Sequence, residues 1–228
     1  ASLLAWSKGE DAEAVTKLSL TNGAAMRIAP VGCLVEANEH EKLAETVARV
    51  SRVTHSTDVA ISGAAMVAQA VASAVAGRSW DEIRTDIAAI HPIALVKGEP
   101  TWAASVLARL EAFEAMVEKL GDAPSEEDVS LLVYRAIGTG TMTSESVAAA
   151  LAVALWCRDP WLAAVMCANM GGDTDTMGAM ACAICGAKCG ISGMDESVVK
   201  YLETMNGIDF RALAKRILEA RANFTIGD

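Results

Sequence analysis

The sequence predicts an all-α fold, and three observations carry that reading. Apolar residues recur at helical rather than alternating spacing, small aliphatic side chains far outweigh aromatic ones, and capping and turn residues punctuate the chain at helix-length intervals. Of the 228 residues, 53% are hydrophobic and only 4% aromatic. The core is therefore expected to consist of Ala, Val, Leu, Ile and Met packed between closely spaced helices. No alternating run marks a strand, and no repeat of roughly 20 to 50 residues is present. A chain of this length can bury one sizeable core before it must divide, so residues 1–228 are expected to form one domain.

Residues 10–20 have helical composition and end at Thr21-Asn22-Gly23, a turn that leads into the apolar stretch Ala24 to Ala37. Leu43, Val47, Val50 and Val53 fall on one face of an amphipathic helix, which Thr54 to Asp58 interrupts. Residues 59–76 are almost uniformly apolar or small, as in a helix enclosed by others, and Gly77 closes them. Ser79 caps a helix carrying Trp80, Ile83 and Ile87. His91-Pro92 should end it, because proline disfavours the α conformation in its predecessor.

Residues 101–120 read as the clearest surface helix, stopping at Gly121. Ser125 followed by Glu126, Glu127 and Asp128 sets a capping hydroxyl before acids that favour a helix N-terminus, so the next helix runs to about Ile137. Gly138-Thr139-Gly140-Thr141 is a loop. Further helices are expected at 144–157, 160–168, 195–206 and 209–222.

The formal net charge of −10 and pI near 4.8 exclude a nucleic-acid backbone as the main partner, since phosphate binding needs clustered Lys and Arg. No uninterrupted apolar run reaches the roughly 18 residues of a membrane span, and no signal-peptide pattern opens the chain. No membrane partner is therefore expected. Five of the six cysteines (33, 157, 167, 182, 185 and 189) lie in apolar stretches with helical character, which favours buried free thiols in a reducing compartment, the cytoplasm. Cys182, Cys185 and Cys189 share one helical face, but metal-binding cysteines sit in turns rather than in an Ala-rich helix.

Asn169-Met170-Gly171-Gly172-Asp173-Thr174-Asp175-Thr176 is the segment that carries chemistry. Two carboxylates and two hydroxyls in four residues suit a hard cation such as Mg²⁺, Mn²⁺ or Ca²⁺, and the thiolate and imidazole donors of zinc sites are not interleaved. Asp173 and Asp175 converge only if the backbone turns there, which Gly171 and Gly172 permit. The competing reading is a helix N-terminus in which Asp173 or Thr174 caps free N–H groups. An EF-hand is excluded: Asp173, Asp175 and Gly178 match its first, third and sixth positions, but Met177 and Ile184 occupy the fifth and twelfth.

Gly-Gly-Asp-Thr-Asp-Thr, followed by Met177-Gly178-Ala179-Met180-Ala181, Gly186-Ala187 and Gly190, resembles the C-terminal signature of the ADP-ribosylglycohydrolase family. Asn22-Gly23-Ala24-Ala25-Met26-Arg27 and Thr54-His55 resemble family motifs in the same order. The resemblance implies a compact orthogonal multi-helix bundle and a binuclear Mg²⁺ or Mn²⁺ site with Asp173, Asp175 and Thr176 as ligands. It also implies cleavage of the glycosidic bond between ADP-ribose and a protein side chain or small-molecule acceptor.

On the same resemblance, Asn22 and Gly23 approach the substrate, His55 contacts the ADP-ribose moiety, Gly171 and Gly172 bind substrate, and the Gly138 to Glu145 loop lines the site through Ser144 and Glu145. Read alone, Asn22-Gly23 is a helix-start turn, His55 a locally hydrogen-bonded side chain, and Thr143 to Glu145 a capped helix start. Many relatives carry Pro where this chain has Ala148.

The family's Gly-Asp-Ala-x-Gly and Thr-Asp-Asp-Thr motifs, which supply its remaining metal ligands and catalytic carboxylate, do not occur in this chain. The expectation is that an N-terminal segment or a separate N-terminal chain provides them, including the general base. Two Asp and one Thr leave most of the roughly six positions around each cation to water, so the chain alone should bind metal weakly. The alternative is a non-catalytic helical module that binds ADP-ribose or a partner.

Overall fold

The computed structural model describes residues 2–225, and among them no strand occurs. The helices are α1 (Ser2–Ser7), α2 (Ala12–Thr16), α3 (Ala29–Gly32), α4 (His40–Ser51), α5 (Asp58–Val75), α6 (Trp80–Leu95), α7 (Val106–Val117), α8 (Glu126–Leu132), α9 (Thr143–Cys157), α10 (Pro160–Met170), α11 (Thr174–Cys189), α12 (Glu196–Asn206) and α13 (Phe210–Ala222). The all-α expectation holds.

Helix α5 is the axis of the fold. Its N-cap Thr57 accepts a hydrogen bond from the Ala60 N–H, and sixteen of its eighteen residues are buried, with α3, α4, α6, α9 and α11 packed around it. Ala along α5 and α9, with Gly63 of α5, lets these neighbours approach closely, while Ile61, Met66 and Leu151 fill the space between them. Contrary to the sequence expectation, α5 is long and apolar enough to cross a membrane by length and composition. It is nevertheless 89% buried inside the fold, which explains its apolarity.

Two expected boundaries and one expected buried face change. Pro92 lies inside α6, which continues to Leu95. Its fixed φ is helical, so it costs one backbone hydrogen bond rather than the helix, and Ile90, His91 and Ala94 are buried around it. Helix α7 starts at Val106, not at residue 101, because the Asp58 carboxylate accepts bonds from Thr101 N and Thr101 Oγ1 and holds that segment extended. On α4 the buried face is Leu43, Ala44, Val47, Ala48 and Ser51, whereas Val50 and Val53 are exposed.

Other elements follow expectation with small changes. The helix from Ser125 ends as a π-helical turn, Val133–Ile137. Asp195 and Asp209 cap α12 and α13. Neither helix buries a residue, but Arg221 ties α13 back through Glu36 Oε2 at 2.7 Å. All six cysteines are free, with Cys167 and Cys185 buried and the other four half-buried.

Candidate active site

The site is assembled around the segment Ser19 to Gly23. Leu20 O accepts from Thr143 N at 2.9 Å and Asn22 N donates to Thr141 O at 3.0 Å, pairing the segment antiparallel to the start of α9. On its other side Ser19 O accepts from Thr57 Oγ1 at 2.7 Å. Asn22 is thereby fixed between the head of α5 and the loop before α9. It is buried, and its Nδ2 donates both to Ser146 Oγ, at 2.7 Å, and to Asp173 Oδ2, at 2.5 Å.

The acidic turn needs its glycines. Gly171 and Gly172 take φ values of +83° and +81°, a region that strains other residues. A Cβ on Gly172 would fall 2.3 Å from Thr139 O, the same oxygen that accepts from Asp173 N at 2.7 Å. The Gly138 loop therefore clamps the turn from above. Asp173 is the N-cap of α11 but makes no side-chain capping bond; its carboxylate turns to Asn22 instead. The simple capping alternative for Asp173 is overturned by that bond.

Asp175, in the first turn of α11, is exposed, whereas Thr176 is buried and directs Oγ1 toward Met26 Sδ at 3.9 Å. Two carboxylates and a hydroxyl fit a hard cation in kind. Among the described residues no three His, Cys, Asp or Glu side chains converge to hold a metal ion.

His55 is buried, with Nε2 2.9 Å from Thr21 Oγ1 and Nδ1 2.7 Å from Thr54 Oγ1, which also accepts from Arg27 Nη2 at 2.6 Å. Burial, and secondarily the Arg27 charge, push its pKa below the ordinary histidine value of 6.5. The neutral ring forms a shelf for the turn: a Cβ on Gly23 would lie 2.8 Å from His55 Cε1, so only glycine lets residues 21–23 pass over it.

Glu145 reaches back so that Oε2 accepts from Gly140 N at 3.0 Å, stiffening the Gly138 loop. The expected hydroxyl cap on α9 is absent: the N-cap is Met142, with no side-chain bond. Asn22 and Asp173 are thus joined directly, His55 and Glu145 fix the neighbouring segments by hydrogen bonds, and Gly23, Gly171 and Gly172 supply the close passages between them. Ser146 and Thr139, which tie these segments together, were not singled out in the sequence. Ser146 was legible in principle as an isolated hydroxyl on the inward face of an apolar helix.

The arrangement is that of a helical protein that presents oxygen donors at the glycine-hinged head of a half-buried helix. The chain belongs to the ADP-ribosylglycohydrolase family, whose model matches residues 1–224. It is similar to the uncharacterized protein YegU of Escherichia coli (strain K12), with 41% identity over 203 residues, covering 89% of this chain and 60% of that protein. An uncharacterized protein of Archaeoglobus fulgidus is 32% identical over 170 residues, covering 74% of this chain and 49% of its own length. ADP-ribosylhydrolase ARH3 of Bos taurus is 29% identical over 200 residues, covering 79% and 53% respectively. The chain therefore spans between 49% and 60% of the length of these relatives.

Proposed function

We propose that this chain contributes the sugar-gripping core of a metal-dependent hydrolase that cleaves the glycosidic bond between ADP-ribose and a protein side chain or small-molecule acceptor. The observation that carries the reading is the Asn22 amide, which joins the first family motif to Asp173 of the last across the assembled loop. The family match and the printed name of the bovine relative, an ADP-ribosylhydrolase, support the reaction class.

Asp173, Asp175 and Thr176 would hold Mg²⁺ or Mn²⁺, in a binuclear centre completed by donors beyond this trio. When bound, such ions supply Lewis-acid polarisation of sugar and water oxygens. The protein's own part is orientation. Asn22 sets the Asp173 carboxylate, the Gly171-Gly172 turn would offer backbone N–H groups to ribose or phosphate oxygens, and neutral His55 supports the Asn22-Gly23 turn without adding charge.

The partner on this reading is an ADP-ribosylated protein or small ADP-ribose conjugate in the cytoplasm. Release of ADP-ribose from both kinds of conjugate, measured in Mg²⁺ or Mn²⁺ and again after chelation, tests it. The account expects release that requires metal, enhanced when the additional polypeptide carried by the relatives is present; equal release in chelator would contradict it. The absence of three converging acids among the described residues favours a second reading, a module that binds ADP-ribose without cleaving it. That reading expects metal-independent binding and no release.

A further inference from the structure

We infer that the groove between α8 and α10 binds a basic stretch of the acceptor polypeptide beside the modified side chain, an inference that rests on the ADP-ribose reading above. The groove has a volume of about 450 Å³. Both of its walls run into the candidate site. One wall, α8 with its π-helical continuation, ends at the Gly138 loop; the other, α10, ends at Gly171-Gly172.

At the near end the Tyr134 ring stands 3.6 Å from the position that a Gly171 Cβ would take. A segment leaving the sugar site along this direction therefore enters the groove first over an aromatic ring that is half exposed. Met166 and Met170 form an apolar floor, and thioether side chains adapt to varied partners.

Charge selects the occupant. Glu126 and Glu127 stand exposed on the far rim, and no Lys, Arg or His is among the described residues lining the groove. A cationic side chain gains from these carboxylates at the far rim, and one at the near end gains from the face of Tyr134; an acidic peptide gains from neither. Eight helical steps separate Glu126 from Tyr134, about 12 Å, which an extended peptide covers in roughly three or four residues. A small-molecule acceptor would not reach that rim, so the groove specifies a polypeptide.

The test uses peptides with one ADP-ribosylated side chain and either Lys or Glu three or four positions away, on the N-terminal side in one pair and the C-terminal side in another. Affinities are compared for the wild type and the double variant Glu126→Gln/Glu127→Gln, with free ADP-ribose titrated into the wild type in parallel. The expected result is a preference for the basic peptide of about three- to tenfold at low salt, falling to near onefold in the double variant. Equal affinity for the two peptides, or a preference that survives the double variant, would overturn the groove assignment while ADP-ribose binding still upheld the underlying reading. Failure of free ADP-ribose and of every peptide to bind would overturn both.

Discussion

The Asn22 amide donates to the Asp173 carboxylate across 151 positions of sequence, and the same nitrogen donates to Ser146. One buried side chain thus orients the leading acid of the α11 turn and fixes it to α9. Asn22→Ala should leave a half-buried carboxylate and a buried hydroxyl without their donor, at a cost of about 1–3 kcal/mol. Asn22→Asp should be worse at neutral pH, because two carboxylates then face each other, and should recover partly in acid as one becomes protonated. Urea unfolding of the three proteins at two pH values measures both effects.

Two glycines of the same region should respond in opposite senses. Gly172→Ala meets Thr139 and demands a left-handed backbone, so a loss of about 2–4 kcal/mol and disruption of the acidic turn are expected. Gly186, inside α11, has open space where a Cβ would go, and Gly186→Ala should stabilise by about 0.5–1 kcal/mol. Thermal melting of the pair reads the contrast.

His55 and His91 both have pKa values pushed below 6.5, chiefly by burial. Below that value the unfolded chain binds protons that the folded chain refuses, so stability should fall as pH drops from about 6.5 toward the depressed folded values. Above 6.5 these two groups should contribute no slope. His55→Gln, which keeps a hydrogen-bonding side chain, should flatten the acid-side decline relative to the wild type. Unfolding free energies measured from pH 7.5 to pH 5 check the sign.

Burial pushes Cys157 and Cys167 up to about 12, and Cys185 upward as well. Almost no thiolate is then available at neutral pH. These three cysteines should resist iodoacetamide in the folded protein at pH 8 and react fully in denaturant, with mass spectrometry locating the modified residues.

Much of the fold was legible because its signals were local. The uninterrupted small and apolar residues of 59–76 mark an enclosed helix, and Ser79 with Glu82 forms the capping box that starts α6. What escaped was decided by partners distant in sequence. Asp58 holds Thr101 extended and delays α7 by five residues from its expected start at 101, and burial around Pro92 carries α6 through a residue that usually ends helices.

The candidate site divides in the same way. Its glycines and acids were visible as a motif, and the positive φ values of Gly171 and Gly172 bear out the turn. The use of Asp173 as acceptor for Asn22, rather than as a helix cap, depends on a fold that brings residue 22 to residue 173. No spacing rule within either motif contains that pairing.

The central claim is that the turn from Gly171 to Thr176 grips a divalent cation that in turn grips ADP-ribose. Calorimetric titration of ADP-ribose, in Mn²⁺ and after chelation, with the wild type beside Asp173→Asn and Asp175→Asn, tests it most directly. The account predicts binding in Mn²⁺ that weakens at least tenfold on chelation and in each variant. Binding of equal strength with and without metal, or unchanged in both variants, would contradict it.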